Sequence, residues 1–170
     1  DGRSLPAMSA QLLVLILDQK FEEAVKLSQG ALESYPASAS TWHAAAFALM
    51  SSGRFEEALE HFQMTKRLSP RNPTMWLVLN QEGFCCFSLG RMDEALNFFN
   101  QSITLKRDHL WPHLGRTLAL KMSGRREEAV RMLKKFLIDV PHFSIKQFDE
   151  IDPAQAGLFI AELRDLGWEG

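Results

Sequence analysis

Histidines, cysteines and paired carboxylates are the residues most able to carry chemistry, and this chain disperses them. His109 and His113 stand at i, i+4, a spacing that can present two imidazoles to one metal ion. Pro112 lies between them, and no Cys or third His follows at ligand spacing, so no metal site is expected. His43, His61 and His142 stand singly and read as packing or surface residues. Cys85 and Cys86 are adjacent, a geometry that strains a disulfide, so two reduced thiols and a cytoplasmic location are expected. Glu22-Glu23, Glu56-Glu57, Asp93-Glu94 and Glu127-Glu128 suggest acid–base work at first sight. Neighbouring residues on a helix point apart, however, and negative charge in a first turn stabilises the helix dipole. No phosphate-cradling loop and no nucleophile elbow is present. No catalytic residue, no cofactor and no enzymatic activity are expected.

The acidic pairs are informative because they recur. Gly53-Arg54-Phe55-Glu56-Glu57-Ala58-Leu59 is restated as Gly90-Arg91-Met92-Asp93-Glu94-Ala95-Leu96 and as Gly124-Arg125-Arg126-Glu127-Glu128-Ala129-Val130. A fainter copy, Gln19-Lys20-Phe21-Glu22-Glu23-Ala24-Val25, comes first. The alanines at 24, 58, 95 and 129 are separated by 34, 37 and 34 residues, and such a period marks a stacked repeat.

Composition fits that reading. The 170 residues are 46% hydrophobic with a formal net charge of −2, enough for one core and without a charge excess to attract nucleic acid. The longest apolar run, Ala44 to Met50, is far shorter than the ~20 residues that a membrane span needs. Residues 1–7 read as a linker or an expression scar, and their polar start without methionine suggests a piece of a longer protein.

Apolar spacing and punctuation then divide residues 8–142 into four helix-turn-helix units, at about 8–37, 38–72, 73–108 and 109–142. Second helices are expected at Phe21–Ser34, Phe55–Leu68, Met92–Leu105 and Arg126–Val140, three of them stopped by Pro36, Pro70 and Pro141. First helices are expected from Met8 to Leu17, from a Ser38 or Ser40 cap to Met50, from Pro73 to Leu89, and from Leu110 to Met122. Asp108 is expected to cap the last of these. The three residues that lengthen the third unit read as most of an extra turn on its first helix, about 4.5 Å. Residues 143–170 read as a C-terminal cap with a helix at about 153–166 that buries Ala156, Phe159, Ile160, Leu163 and Leu166.

The pattern W-x2-L-G-x2-Y…A-x3-F…P resembles the tetratricopeptide repeat. It falls on Trp42, Ala45, Ala46, Leu49, Ala58, Phe62 and Pro70 in unit two, and on Leu79, Glu82, Gly83, Cys86, Ala95 and Phe99 in unit three. Unit four supplies His113, Arg116, Thr117, Leu120, Ala129, Leu133 and Pro141, and unit one Met8, Leu12, Leu15, Ala24 and Pro36. Glu82 and Arg116 depart from an apolar position of the family. The resemblance implies an all-α, right-handed α-solenoid and a scaffold that binds another protein. Pro141-His142-Phe143-Ser144-Ile145 and Leu163 to Trp168 also resemble repeat regions of bacterial nucleotide cyclases and winged-helix regulators. That likeness implies the alternative of a regulatory module acting within a longer chain or through self-association.

In the family the first helices line a concave groove. Carried over, that groove takes Leu13, Ile16 and Leu17, then His43, Phe47, Met50 and Ser51, then Leu77, Asn80, Phe84, Phe87 and Ser88, and finally Trp111, Leu114, Leu118, Lys121 and Met122. Only Asn80 and Lys121 could contribute to a carboxylate clamp, so the resemblance implies an apolar, aromatic groove for a peptide or amphipathic helix. The expected binding residues are His43, Phe47, Met50, Asn80, Phe84, Phe87, Trp111, Leu118 and Lys121, with no nucleic acid and no membrane as partner.

Overall fold

The computed structural model describes residues 4–139 and 160–168. The described residues are helical, with no strand among them. Eight helices follow in order: α1 (Leu5–Leu17), α2 (Phe21–Ser34), α3 (Ala39–Ser51), α4 (Phe55–Leu68), α5 (Met75–Ser88), α6 (Met92–Leu105), α7 (Leu110–Met122) and α8 (Arg126–Asp139). Residues 160–165 add a further helical stretch. Each helix packs on the next, and first helices also meet across units, α1 on α3 and α5 on α7. This is an α-solenoid, because no single pair could bury its own apolar face.

The second helices are strongly one-sided. Ala24, Ala58, Ala95 and Ala129 are fully buried where the two helices of a unit approach each other. First helices end in one device. Gly53 adopts φ +79°, the left-handed conformation that costs a side chain energy, and Arg54 N–H reaches back to the Leu49 carbonyl at 2.9 Å. Unit one makes the same turn without glycine: Gln19 takes φ 60° and Lys20 N–H bonds the Leu15 carbonyl. Trp168 N–H bonds the Leu163 carbonyl in the same way, so the C-terminal stretch ends as the first helices do.

Several boundaries differ from the sequence reading. Helix α1 begins at Leu5, ahead of Met8, because Pro6 sits in its first turn, where a missing N–H costs nothing. Pro73 lies outside α5, which starts at Met75 and stops at Ser88. The three extra residues of unit three do not add a turn. Two lengthen the connection between α4 and α5, and one lengthens the helix itself, to 14 residues against 13 in α3 and α7. Ser38 caps α3, accepting the Thr41 N–H at 3.3 Å, whereas Asp108 caps nothing and His109 holds the N-cap of α7. Val140, Pro141, Ala156 and Phe159 fall outside the described residues, while Leu163 and Leu166 are buried as expected.

Phe99 of α6 is the wedge between units three and four. It is fully buried, and a Cβ added to Gly83 on α5 would meet its ring at 2.6 Å; one added to Gly115 on α7 would come closer still. With both helices against it, the ring has nowhere to retreat. Gly83→Ala and Gly115→Ala are therefore each expected to destabilise by about 1–3 kcal/mol through overpacking. Gly30→Ala in α2, where nothing lies within 4 Å, should stabilise by up to ~1 kcal/mol. Urea midpoints of the three variants check this, and equal midpoints would remove Phe99 from its role.

Candidate functional site

The groove positions form columns along α3, α5 and α7, since i, i+4 and i+7 share one helix face. The first column holds His43, Asn80 and Leu114. His43 Nε2 shares a 2.7 Å hydrogen bond with Gln81 Oε1, tying α3 to α5. Asn80 is only 5% exposed and Leu114 is fully buried, so this column serves packing more than reception. The Asn80 Oδ1 is buried without a hydrogen-bond partner among the described residues.

The second column is Phe47, Phe84 and Leu118. Phe47 is half-buried and lies outside the core cluster of the described residues. Phe84 is half-buried too, and its ring stands edge-on to Phe99 at 5.1 Å and to Trp111 at 6.4 Å, arrangements that the ring quadrupoles favour. Leu118 is buried. The third column is Met50, Phe87 and Lys121. Met50 and Phe87 are half-buried against the core. Lys121 bonds Glu162, and its Nζ lies 2.7 Å from Asp165 Oδ2. Arg126 also bonds the Asp165 carboxylate, at 2.6 Å, and the Arg126 and Lys121 cations beside it hold that carboxyl down at about 2.

Side-chain exposure in this face thus falls from unit two to unit four. His43, Phe47, Met50, Phe84, Phe87 and half-buried Trp111 keep surface to offer, whereas Asn80 and Leu118 keep almost none. Lys121 is committed to the C-terminal segment. Sequence spacing placed these side chains on one face, but the acidic partners of Lys121, some forty residues downstream, left no local signal.

Two polar residues hold positions that the repeat resemblance expects to be apolar, and the structure accounts for one fully. Glu82 is 1% exposed, and Lys66 Nζ donates to both its oxygens at 2.6 and 2.8 Å. Burial pushes the Glu82 carboxyl above its usual range, and the Lys66 ammonium acts in the opposite direction. Breaking a buried pair leaves an unpaired charge, so Lys66→Met should cost about 3–5 kcal/mol and Glu82→Gln less. Chemical denaturation of both variants tests the asymmetry.

The two thiols are sealed in the core. Cys85 and Cys86 are free and buried, and burial pushes their thiols up to about 12 and about 11. Among the described residues, no three His, Cys, Asp or Glu side chains gather as a metal site would require. None of the described helices is long and apolar enough to cross a membrane.

Residues 37–108 match the tetratricopeptide repeat family model. That match covers units two and three, the stretch with the clearest repeat pattern. In sequence, the chain is 29% identical over 83 residues, 49% of its length, to the human (Homo sapiens) protein O-mannosyl-transferase TMTC2. It covers 10% of that protein's length. In structure it is similar to the tetratricopeptide-like repeats of a putative kinesin light chain of Podosopora anserina (TM-score 0.71, 14% identity, 95% of this chain and 93% of that one). It is also similar to pilF of Pseudomonas aeruginosa (TM-score 0.71, 18% identity, 100% and 79%). At such identities these structures show the fold alone, an all-α tetratricopeptide-type solenoid.

Three histidines give the array a pH dependence. Burial lowers the pKa of His43, against the Gln81 hydrogen bond, and of His113, against its bond to the Arg107 carbonyl. Burial also lowers that of His109, with the Lys106 cation adding to the effect. For each, the stabilisation is complete above the ordinary value of 6.5 and is lost as pH falls through the lowered values, where the unfolded chain binds more protons. Glu82, with its raised pKa, works with the opposite sign. The melting temperature should fall between about pH 7.5 and about pH 5. A His43→Gln/His113→Gln variant should fall less steeply, and an equal slope would refute the assignment.

Proposed function

We propose that this chain is a non-enzymatic scaffold whose repeats hold a peptide or amphipathic helix of another protein against the face formed by α3, α5 and α7. The observation that carries the reading is the run of half-buried Phe47, Met50, Phe84, Phe87 and Trp111 on that face, framed by rigid packing behind it. Apolar side chains held part-exposed on stacked helices fit the alternate anchors of a helical or extended ligand. His43 adds one polar contact at the edge of the strip. Asn80, Leu118 and Lys121, which the family pattern also places there, would act by shaping the strip, since burial or ion pairing claims them.

A second reading is favoured by one observation. The stretch matched in the human mannosyl-transferase is a tenth of that protein, so the similar sequence there is part of a longer chain. In that reading the strip receives another part of the same polypeptide, or a second copy, and the array is a regulatory module.

The two share a test of the surface. A displayed library of helical and extended peptides is selected against the wild type and against Phe47→Ala/Phe87→Ala, after circular dichroism has shown both to be folded. Selected peptides should bind the variant at least about tenfold more weakly, the loss of one or two buried anchors. Equal binding by the two proteins would place reception elsewhere on the array.

A further inference from the structure

Arg116 occupies the second polar departure from the family pattern and, unlike Glu82, has no ionic partner among the described residues. It is 9% exposed, and its side chain lines a cleft of about 120 Å³ between α6, α7 and α8, with Leu96, Asn100, Leu120, Arg125, Glu128 and Met132. Its guanidinium makes two long contacts, to Asn100 Oδ1 at 3.3 Å and His113 Nδ1 at 3.5 Å, while Nε is buried without a partner. The carboxylate in the cleft, Glu128, is already held by Arg125 through three contacts of 2.8 to 3.0 Å. Among the described residues no carboxylate lies within ion-pair distance of Arg116.

A buried arginine without a counter-ion is costly, and a guanidinium fork is shaped for the two oxygens of a carboxylate or phosphate. We infer that the cleft between α6, α7 and α8 is an oxyanion site, in which Arg116 binds one carboxylate or phosphate group and the Asn100 amide and the Arg125 cation flank it. Burial lowers the Arg116 pKa against the attraction of Asp139, the direction of a cation that lacks an immediate partner. α7 contributes Arg116 and Leu120 to the cleft, but none of the residues that line it belongs to the strip on α3, α5 and α7, and neither site needs the other. Its volume admits one small group and not a nucleotide, which limits the ligand to an acidic side chain, a phosphorylated side chain or a free small anion.

The experiment follows the Arg116 Nε–H resonance of the isotopically labelled chain as sodium acetate or sodium phosphate is added, with sodium chloride at equal ionic strength as reference. A saturable shift with an oxyanion is expected, weakened roughly tenfold in Asn100→Ala, a change at an exposed position. The Phe47→Ala/Phe87→Ala variant should give the wild-type shift, which separates this site from the peptide-binding reading. Tighter response to acetate assigns an acidic side chain as the natural ligand, and tighter response to phosphate a phosphoryl group. No saturable shift, a shift that chloride reproduces, or one indifferent to Asn100→Ala overturns the site.

Discussion

Phe99 holds units three and four together by occupying the space that two glycines leave open. The ring fits only because Gly83 and Gly115 carry no Cβ, so α5 and α7 can both close on it. Much of the half-buried aromatic face of α5 and α7 follows from this contact. Phe84 takes its place edge-on to Phe99, and Trp111 takes its place beside Phe84. The aromatic strip is thus the outer layer of the inter-unit packing. Support of this kind would lower the entropy cost of the peptide binding proposed above, because the side chains already stand in place.

Polar residues inside the stack mark where the array departs from simple repetition. Lys66 reaches from α4 to Glu82 on α5 and joins units two and three by charge. His113 bonds the Arg107 carbonyl and sets its ring 5.3 Å from that of Phe136, closing the turn into unit four. Ser102 donates to the Trp76 carbonyl at 2.6 Å, fastening α6 to the start of α5. Each is a directional contact between elements that hydrophobic burial alone would leave free to slide. Such contacts add register to a structure whose stability comes from neighbour-to-neighbour stacking.

The ends of the array are managed differently. At the C-terminal end, Leu163, Leu166 and Trp168 are buried, and Glu162 and Asp165 face Lys121 and Arg126. At the N-terminal end, α1 leaves Leu13, Val14 and Leu17 at 50–72% exposure. The aromatic strip, on units two to four, thus runs from beside the exposed apolar helix to the end where the C-terminal stretch holds Lys121.

Most of the fold was legible in the sequence, because a repeat states its helix boundaries several times. Phe21–Ser34, Phe55–Leu68 and Met92–Leu105 follow from one apolar period, an acidic first turn and a preceding turn. What failed locally were irregular positions, such as the loop that absorbs most of the extra length of unit three, since an insertion can enter a helix or its connection without changing the pattern. Spacing could also say which side chains share the face of α3, α5 and α7. It could not say that Asn80 and Leu118 are sealed, that Lys121 is held by Glu162 and Asp165, or that Arg116 is buried with no counter-ion among the described residues. Periodicity is a property of one helix and is written in neighbouring residues. Burial and ion pairing arise between helices, from residues far apart in the chain, and only the tertiary structure decides them.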